Sequence, residues 1–254
     1  MKASLFFLAA STALAAPLES SPVVRDVAST FPLAELEAYY TTAFASEGAE
    51  TEALNTAISK RQYQSDTSNQ LTDGTPCRPV TLIWARGTTQ PGNTGEAGSE
   101  GPTFFNALAS MIGTENLAVQ GVNYAANILG FLLGGDPAGS TTMANLVAQA
   151  TQLQAIAQCP DTKIVLSGYS QGGQLVHNAA NKLTAAQIAR ISAVLIFGDP
   201  FNGQPVGLVP ASKVKVICHT GDNICEGGII ITAQHRNYEQ DAILAAAFVA
   251  GLVQ

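Results

Sequence analysis

The sequence is poor in the features that would tie it to a membrane or to nucleic acid. Its apolar stretches near the two ends, Ala3 to Leu14 and Ala242 to Val253, fall well short of the roughly 20 residues that a spanning helix needs. No stable membrane association is expected. Bases are few and scattered: from Gln62 onward, eight Lys and Arg stand against twelve Asp and Glu. Without a basic cluster to meet phosphates, nucleic acid is not expected as a partner. There is no N-x-[ST] acceptor, so no N-linked glycan is expected. There is no C-x-x-C pair either, and the adjacent Cys218 and His219 would chelate poorly with Cys225, so neither metal nor other cofactor is expected. Histidine is scarce. The three present, His177, His219 and His235, turn the search for a general base into an elimination.

The two ends of the chain differ in character. Lys2, the apolar run after it and the small-residue pattern Ala13-Leu14-Ala15 read as a secretory signal peptide over 1–15. Residues 16–61 hold seven acids against three bases and end in the dibasic Lys60-Arg61. They read as a pro-segment processed after Arg61, with Leu36, Tyr40 and Phe44 forming one short amphipathic stripe. A flexible linker is expected over 62–76 and a single catalytic domain over 77–254. The 193 residues from Gln62 on suffice for one full core. Four cysteines, Cys77, Cys159, Cys218 and Cys225, are an even count. In a secreted chain that implies two disulfides, with three connectivities open. The nearly all-apolar end is read as a helix packed on the core.

Short Val- and Ile-rich runs alternate with helical patterns. The strands expected are Val80–Ala85, Leu117–Val122, Lys163–Ser167, Ile191–Phe197 and Lys213–Cys218, each with the low charge of a strand buried on both faces. Helices are expected over 102–112, 141–159, 171–183 and 235–253. Ser140 is the expected cap of the second, and Met143, Leu146, Val147, Ala150, Leu153 and Ala157 form its apolar face. Alternation of this kind implies a mostly parallel five-stranded sheet with helices on both faces, whose chemistry gathers at the carboxyl ends of the strands.

At one such end stands Gly168-Tyr169-Ser170-Gln171-Gly172. A serine in G-x-S-x-G between a buried strand and a helix is the pattern of a nucleophile elbow, where the turn leaves no room for side chains two residues to either side. A serine hydroxyl needs a base to take its proton. His177 stands seven residues down the exit helix, roughly 10 Å along its axis, and is assigned to packing. His219 ends a strand and is the weaker candidate. His235, after an irregular loop, is the expected base. Asp222 in Gly221-Asp222-Asn223 is the expected orienting carboxylate, with Asp199 of Gly198-Asp199-Pro200 as runner-up. Ser170, Asp222, His235 is the chain order of α/β-hydrolases. Backbone donors for an oxyanion are expected at Gln171 and in the Arg86-Gly87-Thr88-Thr89 loop, chiefly at Thr88.

Cys77-Arg78-Pro79-Val80 leading to Ala85-Arg86-Gly87-Thr88-Thr89, then Gln120-Gly121-Val122, the Ser170 pentapeptide, Cys218-His219-Thr220-Gly221-Asp222-Asn223-Ile224-Cys225 and Ala233-Gln234-His235 occur in the same order as in the fungal cutinases, which the chain resembles over nearly all of 77–254. The resemblance implies a small secreted serine esterase of α/β-hydrolase fold. Its triad would be Ser170, Asp222 and His235, its oxyanion residues Thr88 and Gln171, and its disulfides Cys77–Cys159 and Cys218–Cys225. Many relatives carry serine where Thr88 stands, and threonine is stiffer about χ1. Two apolar segments, 128–133 and 229–231, are expected to flank the serine, with Phe131, Leu132, Leu133, Ile229 and Ile231 meeting the acyl chain. The first of them reads as irregular, at a strand end. An apolar rim, four cysteines and a single Trp84 favour cutin-like polyesters and short-to-medium acyl esters over acetylated xylan. The expected partner is thus an ester substrate, and the expected state a monomer.

Overall fold

A computed structural model of the chain describes residues 38–39, 63–155 and 159–254. The signal peptide, nearly all of the pro-segment, the residues of its expected stripe and Ala157 lie outside the described residues. Five strands, β1 (Val80–Ala85), β2 (Leu117–Gly121), β3 (Lys163–Tyr169), β4 (Ile191–Phe197) and β5 (Val214–Ile217), form one sheet in the order β2-β1-β3-β4-β5. Every pairing is parallel. The chain steps from β1 out to β2 and returns to β3 on the other side of β1. The carboxyl ends of β1 and β3 therefore open onto one crevice, the place where such sheets bind ligands.

Successive side chains of a strand alternate between faces, and two cores result. Leu82, Trp84, Val165, Tyr169, Leu195 and Phe197 pack beneath α1 (Glu100–Ile112) and the C-terminal helix. Ile83, Ala85, Leu166, Val194 and Ile196 pack beneath the helices of the opposite layer. These are α3 (Pro137–Ala155), α4 (Gln171–Ala180) and α5 (Ala185–Ala189), which follow the short α2 (Ile128–Leu132) in the chain. The C-terminal helix, α6 (Ala242–Val253), buries Ala245, Ala246 and Val249 on the first core. Among the described residues no helix is long and apolar enough to cross a membrane.

Three expectations are corrected. Helix α3 begins at Pro137, not at 141. Asp136 accepts from Gly139 N at 2.6 Å and Ser140 lies inside the first turn, its hydroxyl bonded back to the Asp136 carbonyl at 2.8 Å. An Asp cap followed by Pro at the first helical position is the stronger start signal. Residues 128–132, read as irregular, form α2, because the Asn127 side chain accepts from Gly130 N and caps that turn. The linker expected over 62–76 is instead strapped along the sheet from Tyr63 onward. Asn106 holds Tyr63 N at 3.1 Å, Gln70 N donates to Val119 O at 3.0 Å, and Asn69 bridges Gln120.

Candidate active site

Strand β3 delivers Ser170 to the crevice, and α4 departs from it at once. Ser170 adopts φ 55°, ψ −120°, a conformation costly for any residue with a Cβ and stored at functional sites. Its flanking glycines are required by space: a Cβ on Gly168 would lie 2.5 Å from the Gly172 carbonyl, and one on Gly172 would overlap the Ala85 carbonyl of β1. The turn is pinned to the sheet by Ser170 N, which donates to Phe197 O at 3.0 Å.

His235 lies on a 3-10 turn, Ala233–Arg236, and a second such turn, Tyr238–Asp241, carries the chain on to α6. The helix expected from residue 235 thus starts at Ala242. The two turns let His235 and Tyr238 reach the same carboxylate. His235 Nε2 is 2.9 Å from Ser170 Oγ, and Nδ1 is 2.8 Å from Asp222 Oδ2. Asp222 follows β5 on a loop closed by the Cys218–Cys225 disulfide, and its Oδ1 accepts from Ile224 N at 2.9 Å. Ser170 is 2% exposed, Asp222 and His235 fully buried. Burial alone would raise the Asp222 carboxyl. The hydrogen bond from His235, that ring's charge and the Tyr238 hydroxyl overcome it and hold the carboxyl below the usual carboxylate range.

The other histidines are engaged elsewhere. His177 Nε2 meets Asp199 Oδ2 at 2.9 Å inside the core, so the runner-up carboxylate serves the packing histidine, while Asp199 Oδ1 also accepts from Phe201 N. His219 pairs with Asp241 at 2.6 Å.

The loop after β1 brings Thr88, fully buried, against Gln171, the residue after Ser170. Gln171 Nε2 donates to Thr88 Oγ1 and to Asn127 O, each at 2.9 Å. With that lone pair engaged, the threonine hydroxyl has its own hydrogen to give. Gln171 N belongs to the first residue of α4, one of the helix-start donors without an intrahelical partner. The loop is braced from below. Gln90 accepts from Gly87 N at 2.7 Å and donates to the buried Glu100 at 2.9 Å. Burial pushes the Glu100 carboxyl up to about 8.

The two apolar segments do meet, in a cluster of Ile128, Phe131, Leu132, Ile224 and Ile231 against Ile229. Phe131, Leu132 and Ile231 are buried in it, whereas Leu129, Leu133 and Ile230 are half exposed or more. Of the side chains expected to meet the acyl chain, only Leu133 is well exposed; Leu129 and Ile230 of the same two segments are exposed as well. Tyr39, from the N-terminal segment, reaches the second of them. Its hydroxyl accepts from Ile231 N at 2.9 Å and donates to Ile231 O at 3.3 Å.

Sequence reasoning missed the aromatics that hold His235 and Asp222. Tyr169 stacks on His235, with centroids 5.2 Å apart, and donates to its carbonyl at 2.8 Å. Tyr238 donates to Asp222 Oδ2 at 2.6 Å. The first was visible as the residue before the nucleophile. The second had no signal beyond its place three residues after His235.

A family model described as Cutinase matches residues 76–253. A cutinase of Pyrenopeziza brassicae is 52% identical over 174 residues, 68% of this chain and 82% of the relative. One of Botryotinia fuckeliana is 53% identical over 173 residues with the same coverage. Among solved structures, a Trichoderma reesei cutinase in complex with a phosphonate inhibitor is 40% identical with a TM-score of 0.72, spanning 91% of this chain and 97% of that one. An acetylxylan esterase at 24% identity and TM-score 0.51 shares the fold alone. Family model, relatives and fold agree, and this chain belongs to the cutinase family.

Proposed function

We propose that the protein hydrolyses cutin and related polyesters, together with short-to-medium acyl esters, by ping-pong acyl transfer at Ser170. The observation that carries this is the unbroken chain from Ser170 Oγ through His235 to Asp222, at 2.9 and 2.8 Å, in a buried site. His235 takes the Ser170 proton as Oγ attacks the ester carbonyl. The negative charge that develops on the carbonyl oxygen is met by Gln171 N and by the amide and hydroxyl of Thr88. His235 then gives its proton to the leaving alcohol. Water, deprotonated by the same ring, releases the acid and restores the serine. Leu129, Leu133 and Ile230 supply the apolar rim on which a waxy chain can lie. Membership in the cutinase family makes the protein a carboxylic ester hydrolase. The half-identical relatives named as cutinases support cutin as its polymer.

The same reading places the mature enzyme outside the cell as a monomer, with 1–15 directing export and cleavage after Arg61 releasing 16–61. Two disulfides, Cys77–Cys159 and Cys218–Cys225, support that placement, since such links persist in oxidising compartments.

The test is hydrolysis of p-nitrophenyl esters from C2 to C16, with Ser170→Ala beside the parent. A rate optimum at C4 or longer, lost by about 10⁴-fold or more in the variant, is expected, and release of cutin monomers should follow. Substantial activity in Ser170→Ala removes the nucleophile. Activity confined to the acetyl ester shifts the substrate to acetylated polysaccharide.

A further inference from the structure

Among the ordered polar clusters that the mechanism leaves unused, one touches the proposed triad. Tyr238 is fully buried, yet its hydroxyl is spoken for on both sides: it donates to Asp222 Oδ2 at 2.6 Å and accepts from His219 N at 2.9 Å. The same Asp222 oxygen receives His235 Nδ1. With Ile224 N on Oδ1, three donors orient that carboxylate, and of the two on Oδ2 only His235 takes part in proton transfer.

Tyr238 is itself gripped from outside. The His219 ring lies on its face, with centroids 4.1 Å apart and planes 20° from parallel. Both imidazole nitrogens of His219 face acceptors. Nδ1 is 2.8 Å from Gln234 O and 2.9 Å from Asn237 Oδ1, and Nε2 is 2.6 Å from Asp241 Oδ2. A carbonyl and a carboxylate only accept, so each nitrogen carries a hydrogen and the ring is an imidazolium. A cation over a phenol face is attracted by the ring quadrupole. His219 thus holds Tyr238 by its charge from one side and by its backbone N–H at the hydroxyl. The charged and titratable groups facing it are Asp241 and Glu239 on the 238–241 turn, Tyr238 itself and, beyond the phenol, Asp222.

We propose that Tyr238 is a positioning residue for Asp222, and that the His219–Asp241 pair outside the triad is the clamp that sets it. This rests on the assignment of Ser170, His235 and Asp222 above. The clamp exists only while His219 is charged. Burial opposes that charge, but the hydrogen bonds to Asp241 and the Gln234 carbonyl, with the Asp241 charge, raise the ring above its usual value. A group raised in this way contributes fully at lower pH and is lost as pH climbs through its own titration. Turnover therefore declines on the alkaline side to a lower, non-zero plateau.

The experiment is a pH profile of kcat and KM on a soluble short-chain ester for the parent, Tyr238→Phe, His219→Gln, Asp241→Asn and Ser170→Ala, with thermal unfolding as a check on folding. Tyr238→Phe keeps the ring and loses the hydroxyl. It should lower kcat about tenfold, the scale of one charge-assisted hydrogen bond, with KM unchanged. It should also move the acidic limb of kcat/KM to higher pH, because Asp222 then presents its full charge to His235. A residue that merely filled space would not move that limb. His219→Gln should sit at the parent's alkaline plateau throughout, about 3- to 10-fold down, with no alkaline step, and Asp241→Asn should bring the step to lower pH. A parent-like kcat and acidic limb in Tyr238→Phe overturn the proposal. If that variant does not fold, an alkaline step that survives in His219→Gln does so. Failure of the triad assignment looks different: Ser170→Ala would then retain activity.

Discussion

Ser170 carries a local conflict, one of three non-glycine residues with positive φ among the described residues. Its φ of 55° lies where a side chain costs about 1–3 kcal/mol, and the helix and strand on either side hold it there. Glycine has no such cost. Ser170→Gly should therefore unfold at a higher urea midpoint than the parent while losing its activity, whereas Ser170→Ala, with the same Cβ, should gain little; equilibrium unfolding of the three proteins checks this. The three residues of the proposed triad, which the structure brings together, could be singled out because each sits in a pattern with chemical meaning: a serine between required glycines, a carboxylate between two cysteines, and one histidine left after elimination. Tyr169 and Tyr238 could not. A buried tyrosine has the same sequence signature whether its hydroxyl braces a catalytic carboxylate or ends in the core, and only the distance to Asp222 separates the two. The Gln90–Glu100 brace was hidden for a related reason, since ten residues of loop and helix start separate its members.

At the scale of elements, the strands could be read closely because burial on both faces leaves nearly continuous Val and Ile. β1 and β4 match their expected bounds, and the others differ by one or two residues. Helix starts were harder. Ser140 and Asp136 are both competent caps, and what decides between them is that Pro137 fits the first helical position and nowhere later in the helix. Asp136→Ala should thus lower stability by about 1 kcal/mol, with Ser140→Ala costing less, as measured by denaturant unfolding. α2 escaped notice because five residues show no period. It matters nonetheless, since its cap residue Asn127 also accepts from Gln171 through its carbonyl. One short helix thereby joins the apolar cluster to the Thr88 loop, the proposed oxyanion side of the site.

The whole molecule carries a buried acid whose cost depends on pH. Glu100 titrates near 4.5 when exposed and is pushed to about 8 by burial, with Glu239 and Glu96 adding to the rise. Between those values the unfolded chain has lost a proton that the folded protein keeps. Stability from this group therefore falls as pH rises across that window, by about 1.4 kcal/mol per pH unit at most. Glu100→Gln, which removes the titration, should equal the parent near pH 4.5 and exceed it increasingly toward pH 8, as read from unfolding midpoints at several pH values.

The Cys77–Cys159 link bears on how the sheet is assembled. Cys77 stands three residues before β1 and Cys159 four before β3, and these two strands pair from Val80 opposite Lys163. Parallel pairing across some 80 residues of intervening chain is slow, because the loop must close before any contact rewards it. Once the cystine has formed, that search shrinks to a few residues and the central register is close to preset. The bond then works as a template for folding as well as a brace for the finished structure. Refolding from denaturant with the disulfides intact should outpace refolding of the reduced chain, and in Cys77→Ser/Cys159→Ser the advantage should vanish while the Cys218–Cys225 loop, local to its own turn, leaves the rate nearly unchanged when opened.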